Sequence, residues 1–397
     1  MRSKNIGVTA VTYFTMLLEG GLNNVVGALM VLLALRLARE PGDIALLASM
    51  RGIGTVITLY ICGLLSDKKG RKGVIIIGGI LFVVFIIGMM TTSNYFLALF
   101  YSFIGGLAFG FMDAPSINIL FDVYREKSGP YVSFTQVFFG SGGMFTSFLA
   151  AVLMSRDMSY NYLFAFYLII SLITITLAFI LKFPTRASEE KIDKSISLEI
   201  FENPPNLKKE GIFILIFVLF YSISSVILMT WLPLYIQITK GIIPEDAVQS
   251  LTYYLLGTVI GSFVFSMILR RTHATQLLGI NSFLAMGCLF VLIITTNLRI
   301  VYIFSFFIGF FLGNFFPMIV GLGGEFFPSQ SGGFTGMVGT ASTLGGTIIV
   351  SITGLIVNKI GVEPVMWISF GALAVVVILS RIFRKMYLGF GKKVFQV

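Results

Sequence analysis

The sequence predicts an all-α membrane protein with twelve transmembrane helices, arranged as two pseudo-symmetric six-helix bundles. The chain of 397 residues is 56% hydrophobic and only 12% charged, whereas a soluble domain has about a quarter charged residues. Its apolar residues fall in long runs, and a helix needs about 20 such residues to cross a bilayer. The runs lack the alternation of barrel strands, so helices are predicted.

Twelve apolar runs are long enough to span a membrane, and polar segments separate them. The predicted spans are 7–36, 43–66, 73–91, 95–122, 131–155, 160–183, 211–236, 247–269, 274–296, 299–327, 331–357 and 362–383. Most of the 28 lysines and arginines lie on the side that carries both termini, and short basic loops face the cytoplasm. We therefore expect a multi-pass protein of the cell membrane with both termini in the cytoplasm.

The longest polar segment divides the chain into two halves. It covers 184–210 and carries mixed charges and two adjacent prolines, which is typical of a linker. The sequence thus predicts an N-terminal six-helix bundle at 1–183, a cytoplasmic linker at 184–210, and a C-terminal bundle with a short cytoplasmic tail at 211–397.

The two halves match each other at a fixed offset of 203 residues. The matching positions are 54–57 with 257–260, Gly106 with Gly309, Gly110 with Gly313, Asp122 with Glu325, and 142–143 with 345–346. Shared membrane composition could produce one such match, but several in order at one offset favour a duplicated unit. Parallel six-helix repeats with a binding site between them are typical of secondary transporters.

The loop after the second span has a distinctive order of small and charged residues. From Gly63 it reads G-L-L-S-D-K-K-G-R-K. Gly63 allows close helix packing, Asp67 can accept hydrogen bonds at a helix terminus, and Gly70 permits a tight turn. Arg71 can then pair with Asp122 at the end of the fourth span. The alternative is an ordinary basic loop on the cytoplasmic side.

This loop resembles the G-x-L-x-D-x-x-G-R-K motif of the major facilitator superfamily at every defining position. The resemblance implies a transporter that works by alternating access. It also implies gating roles for Gly63, Asp67, Gly70, Arg71, Asp122 and Glu325. In the second half the loop is degenerate, because Asp67 corresponds to Arg270. We expect a monomer in the lipid bilayer that binds a small-molecule substrate and a coupling ion, either proton or sodium.

Further segments resemble the fucose/glucose–galactose branch of sugar–cation symporters. The fourth span contains the segment G-G-L-A-F-G-F-M-D-A-P-S-I-N, which ends at Asn118. The seventh span contains W-L-P-L-Y, which begins at Trp231. The branch has an acid one helical turn before that asparagine, but here Asp113 lies five residues before it. The branch also has an acid after the first-span asparagine, but here Asn23 is followed by Asn24.

Two carboxylates, Glu19 and Asp113, lie well inside apolar spans. An ionisable group at the membrane centre costs about 2.5–3.5 kcal/mol on insertion scales, so its presence indicates function. We predict proton coupling by both, with Asp113 as the principal coupling acid. Structural alternatives remain open: Glu19 could pair with Arg51, and Asp113 could hydrogen-bond across helices.

Uncharged polar and aromatic residues at similar depth are candidate substrate ligands, because amides hydrogen-bond to hydroxyls and aromatic rings stack on sugars. The candidates are Asn23, Asn24, Asn118, Gln136, Trp231, Tyr235, Tyr253, Tyr254 and Asn314. The alternatives are helix–helix contacts for the amides and interfacial anchoring for the aromatic residues.

Several function classes are excluded. The net charge of +10 does not predict nucleic-acid binding, because the basic residues separate apolar runs. One histidine and two cysteines offer no metal site, and no cofactor motif or catalytic residue is found, so we expect no enzyme.

Proton-coupled symport of a sugar or similar small polar solute is predicted. The alternative is proton-driven efflux of drugs or metabolites, which is less favoured because the fifth span lacks the antiporter Gly-Pro pair.

Overall fold

The computed structural model describes residues 2–124, 128–183, 201, 205–269, 271–327 and 331–391. The helices, in chain order, are α1 (Arg2–Ala28), α2 (Met30–Leu37), α3 (Pro41–Lys69), α4 (Arg71–Thr91), α5 (Tyr95–Tyr124), α6 (Ser128–Ser155), α7 (Asn161–Ile180), α8 (Ile212–Lys240), α9 (Pro244–Ile268), α10 (Ala274–Ile294), α11 (Leu298–Leu312), α12 (Phe315–Phe326), α13 (Ser331–Ile360) and α14 (Glu363–Gly389). Most of the predicted linker 184–210 lies outside the described residues.

The all-α membrane fold predicted from the sequence is confirmed. Eleven helical segments in the described part of the chain are long and apolar enough to cross a membrane, and the bent pair α1–α2 supplies a twelfth. Their outward faces carry large apolar side chains, such as Ile169, Leu172 and Ile173 on α7. An apolar outer face suits a lipid environment, where backbone polar groups are satisfied inside each helix.

The first predicted span, 7–36, is broken rather than continuous. Helix α1 ends at Ala28, and the chain bends by 66° into α2. The bend directs one face of α2 into the protein, where Met30, Leu33 and Leu37 are buried.

The tenth predicted span, 299–327, is also divided, between α11 and α12. Pro317 lacks the N–H that would bond the carbonyl four residues earlier, which belongs to Gly313. The hydroxyl of Ser262 on α9 donates to that carbonyl instead, at 2.8 Å. The helix therefore breaks where a neighbouring helix supplies the missing donor.

The helices form two groups of six spans each. In the first half α5 packs against α3 and α4, α6 against α1, and α7 against α4. In the second half α11 packs against α9 and α10, and α14 against α8 and α10. The halves meet where α3 packs on α13, α6 on α9, and α1 on α8.

Contacts between helices recur at the offset of 203 residues seen in the sequence. A Cβ atom at Gly106 on α5 would overlap the carbonyl of Arg51 on α3. A Cβ atom at Gly309 on α11 would overlap the carbonyl of Tyr254 on α9. Each residue of the second pair lies 203 positions after its counterpart in the first pair. Equivalent glycines therefore allow two helices to approach equally closely in each half.

The halves are joined by hydrogen bonds at the end of the bundle away from the described chain termini, which we call the opposite end. The Ser351 hydroxyl on α13 donates to Ser49 on α3 at 2.9 Å. Nearer the opposite end, the Asn358 amide donates to the carboxylate of Asp43 at 3.0 Å. These contacts hold α3 against α13 and close this side of the interface.

A second contact at the opposite end joins α1 and α8. Pro233 within α8 cannot donate to the carbonyl of Met229, and this carbonyl faces Gly27 on α1 so closely that a Cβ there would overlap it. The absence of a side chain at Gly27 therefore permits the two helices to close.

Candidate functional site

Glu19 is fully buried in the first half, and neither of its carboxyl oxygens has a hydrogen-bond partner among the described residues. It lies seven residues after Thr12, almost two helical turns, and so on the same face of α1. The Thr12 hydroxyl donates to the carbonyl of Ser116 on α5 at 3.0 Å. Glu19 therefore lies on the face of α1 that packs on α5, the helix that carries Asp113.

Asp113 is half-buried on α5, about 27 Å along the helix from Tyr95 at 1.5 Å per residue. Pro115 follows two residues later within the same helix and removes one backbone hydrogen bond. Asn118 is half-buried just beyond, toward the end that carries the described termini. Asp113 therefore lies on the side of Glu19 that leads toward this end.

Arg51 on α3 lies at nearly the same depth as Glu19, about 15 Å from the start of its helix. Its guanidinium donates to the carbonyls of Leu22 at 2.7 Å and Asn23 at 3.0 Å, and to the side-chain oxygen of Asn23 at 2.8 Å. All these acceptors are neutral. The alternative in which Glu19 pairs with Arg51 is not found, because the oxygens of Glu19 have no partner in the described part of the chain.

Two other candidate amides of the first half differ in their surroundings. Asn24 is buried, and its amide donates to the carbonyl of Gly20 on its own helix at 2.9 Å. The same amide lies so close to Gly143 on α6 that a Cβ there would overlap it. Gln136 is half-buried on α6. Asn24 therefore sits where α1 packs on α6.

Three aromatic candidates of the second half make contacts typical of core packing. The indole of Trp231 donates to Thr353 at 2.9 Å, and the hydroxyl of Tyr235 donates to the carbonyl of Ile293 at 3.1 Å. Both aromatic residues are buried. Tyr253 on α9 stacks on a tyrosine of α11, with ring centroids 4.7 Å apart. Their role as substrate ligands stays a prediction.

A cluster of hydroxyl groups in the second half joins the candidate Tyr254 to two residues, Ser225 and Tyr221, that the sequence analysis did not identify. Ser225 on α8 and Tyr254 on α9 lie 3.4 Å apart. Nearby, the Tyr221 hydroxyl donates to the carbonyl of Leu312 at 3.3 Å. The 203-residue offset could have identified the cluster, because Tyr254 is the counterpart of Arg51.

Asn314 is the candidate amide in the broken tenth span. It is 1% exposed, and its amide nitrogen has no hydrogen-bond partner among the described residues. It immediately precedes α12, so the helix break lies at a residue whose side-chain amide is buried in the protein.

The loop at the end that carries the described termini contains the pair predicted from the motif. Gly70 has a φ of +89°, a conformation that favours glycine. Arg71 then makes a two-point ion pair with Asp122, in which Nη2 is 3.1 Å from Oδ1 and Nε contacts the second oxygen. Gly63 and Asp67 lie in the last turns of α3, and their gating role stays a prediction.

A similar pair lies in the second half, where Glu325 is the counterpart of Asp122. The carboxylate of Glu325 is 3.1 Å from Nε2 of His273. The imidazole also stacks on Tyr387 of α14, with ring centroids 3.9 Å apart. The second half therefore has histidine one position before the counterpart of Arg71, and its acid bridges α12 to the loop before α10.

Comparison with known proteins decides the family. Residues 12–298 match the model of the Major Facilitator Superfamily. The chain belongs to this family. It is therefore an integral multi-pass membrane transporter and not an enzyme, as the sequence analysis expected.

Relatives and solved structures cover nearly the whole chain. The uncharacterized MFS-type transporter YfkL of Bacillus subtilis (strain 168) is 26% identical over 94% of both chains. The inner membrane transport protein YdiN of Escherichia coli (strain K12) is 24% identical, over 94% of this chain and 89% of its own.

The solved structures include the Escherichia coli fucose–proton symporter FucP, with a TM-score of 0.66, 18% identity, and coverage of 94% of this chain and 98% of that one. A D-xylose–proton symporter has a TM-score of 0.76, 16% identity, and coverage of 96% and 97%. These likenesses confirm the fold.

Proposed function

We propose that the protein takes up a sugar or a similar small polar solute together with protons, by alternating access at a site between its two halves. The observation that carries this proposal is the carboxyl group of Glu19. It is fully buried on the face of α1 that packs on α5, the helix that carries Asp113, with no hydrogen-bond partner in the described structure. Buried membrane carboxylates of this kind mark ion pathways and proton relays.

Alternating access explains how such a pair can couple two movements. The halves rotate about a fixed site, so that it opens first to one side of the membrane and then to the other. A proton drives the solute only if the solute binds the protonated site better than the ionised one, because a ligand shifts an equilibrium only by its differential affinity. Asp113, half-buried on the side toward the described termini, is the group best placed to exchange this proton.

Two resemblances support the polar solute and the proton. The sequence segments described above resemble the fucose/glucose–galactose branch, and two proteins with the same fold carry the titles of fucose–proton and D-xylose–proton symporters. The hydroxyl cluster of Tyr221, Ser225 and Tyr254 suits a solute that forms hydrogen bonds.

The test is transport by the purified protein in proteoliposomes, using labelled hexoses, deoxyhexoses and sugar acids. A gradient of one pH unit corresponds to 1.36 kcal/mol and supports about tenfold accumulation per coupled proton. The Asp113→Asn variant imitates the protonated acid. It should keep solute exchange across the membrane and lose accumulation against a gradient.

The matched control is Asp157→Asn, which removes an exposed acid in the loop between α6 and α7. Asparagine tolerates the left-handed conformation of this residue, with a φ of 52°, so the control should accumulate solute like the unmodified protein. Continued accumulation by Asp113→Asn would exclude Asp113 as the coupling acid. Uptake that requires sodium, or solute leaving as protons enter, would refute proton symport.

A further inference from the structure

The charged residues deep inside the spans all belong to the first half. They are Glu19, Arg51 and Asp113, whereas the spans of the second half carry charged residues only toward their ends. At the offset of 203 residues, Ser222 corresponds to Glu19 and Tyr254 corresponds to Arg51. The two halves thus present the same backbone arrangement with different chemistry.

Arg51 has donors to spare. A guanidinium group carries five N–H groups, and three hydrogen bonds join that of Arg51 to Leu22 and Asn23. The N–H on Nε and one on Nη1 make no hydrogen bond in the described part of the chain. These two groups are available to a ligand.

In the described part of the chain, the positive charge of Arg51 also has no anionic partner. Its acceptors are two carbonyls and one amide oxygen, and Glu19 on the adjacent helix makes no hydrogen bond to it. Charged side chains inside a membrane protein pair with one another or with backbone carbonyls and mark solute and ion pathways. The carbonyls of Leu22 and Asn23 satisfy donors of Arg51 but do not neutralise its charge. An anion in the pathway would complete this pairing, and hydrogen bonds between ionised groups are about twice as strong as neutral ones.

The orientation of Arg51 is repeated by its counterpart in the second half. Arg51 points from α3 to Leu22 on α1 at 2.7 Å, and Tyr254 points from α9 to Ser225 on α8 at 3.4 Å. Ser225 is the residue 203 positions after Leu22. Because α1 and α8 pack on each other, a solute between the halves would have a cationic group on one side and hydroxyl groups on the other.

We propose that the transported solute is a small hydroxylated carboxylic acid, whose carboxylate binds Arg51 while its hydroxyl groups face Ser225 and Tyr254. This inference rests on the proposed function, and it replaces a neutral sugar by an acidic one. Entry of the acid with one proton carries no net charge, which suits a site that contains both a cation and protonatable acids.

The experiment compares ligands that differ in one group. Galacturonate and galactose differ by a carboxylate in place of a CH₂OH group, and glucuronate and glucose form a second such pair. Binding is measured on the purified full-length protein by thermal stabilisation, which needs no ion gradient. We expect an acid to raise the midpoint of unfolding while its neutral partner does not. Arg51→Gln should weaken binding of that acid by roughly ten- to a hundredfold, the range for hydrogen bonds to charged groups.

Two further variants separate ligand binding from a structural role of Arg51. Arg51→Lys keeps the charge and should bind the acid better than Arg51→Gln. Arg36→Gln is the matched control, because Arg36 also donates to a backbone carbonyl, that of Met90, but lies near the opposite end. It should bind the acid with unchanged affinity even where it lowers thermal stability.

Three results would overturn the inference: neutral sugars that stabilise the protein as well as their acids, no stabilisation by any acid, or equal binding by Arg51→Gln and the unmodified protein. None of these results contradicts proton-coupled uptake, which is tested by comparing solute accumulation in the unmodified protein and in Asp113→Asn. Conversely, acid binding that requires Arg51, combined with unaltered accumulation by Asp113→Asn, would retain the inference and reject the coupling mechanism.

Discussion

Closure of the opposite end depends on the missing side chain of Gly27, and we expect Gly27→Ala to disfavour the closed arrangement. The added Cβ would overlap the carbonyl oxygen of Met229 and lie 3.2 Å from its carbonyl carbon and 3.3 Å from Cα of Thr230. These are backbone atoms of α8, so they can move only if the helix moves. The first consequence is therefore a separation of α1 from α8.

The magnitude follows from overpacking at a helix contact. Inserting one carbon into a well-packed site costs about 1–3 kcal/mol, and each 1.4 kcal/mol changes an equilibrium tenfold. The closed population should thus fall by roughly fivefold to a hundredfold relative to the open one. Transport should slow accordingly, because each cycle passes through the closed arrangement.

The direct measurement is a distance across the opposite end. Glu40 and Ile243 are exposed there on different halves, and each can be replaced by a spin-labelled cysteine after Cys62 and Cys288, which are free thiols, have been removed. Pulsed electron paramagnetic resonance should show a longer distance in Gly27→Ala than in the parent protein.

The control is Gly371→Ala on α14, where an added Cβ meets no atom within 4 Å. This control has the same change in helix propensity as Gly27→Ala, about 1 kcal/mol of helix stability in favour of alanine. If Gly27→Ala and Gly371→Ala give the same distances and the same transport rates, the backbone contact at Gly27 does not control closure.

Two further predictions concern the loops and the orientation. Arg71→Lys keeps the charge but loses the two-point pairing with Asp122, so turnover should slow while solute affinity is unchanged. Uptake kinetics and binding measurements on the same variant test this, and a loss of affinity with normal turnover would contradict it. A reporter fused after Gly211 or at the C-terminus should be cytoplasmic and one inserted at Gly241 external, and an external C-terminus would refute the orientation.

Much of the fold could be predicted because bilayer thickness imposes one length on every span. The same reasoning cannot locate breaks within a span. The bend after Ala28 leaves an uninterrupted apolar run, and the break at Asn314 depends on a hydroxyl from Ser262, which is distant in sequence. Hydropathy records how apolar a segment is, but it does not record which carbonyl a neighbouring helix satisfies.

The candidate site was predictable where charge identifies it. Glu19 and Asp113 are conspicuous in apolar spans, and the structure brings them onto facing helices. The aromatic residues were harder to assign, because Trp231 and Tyr235 lie at plausible depth but point into their own half. Sequence gives the position of a residue along a helix more readily than the direction of its side chain, unless a repeat supplies a counterpart, as it does for Arg51 and Tyr254.

The repeated halves also explain why the charged residues can be confined to one of them. Both halves use glycines at equivalent positions, Gly106 and Gly309, to bring equivalent helices together. The internal packing of each half therefore rests on similar backbone contacts, whichever side chains line the site. Charge can then be concentrated in the first half, where we propose that Glu19, Arg51 and Asp113 serve ion and solute binding. The second half needs only neutral groups that tolerate both arrangements, since an ionised group there would add a desolvation cost to every cycle.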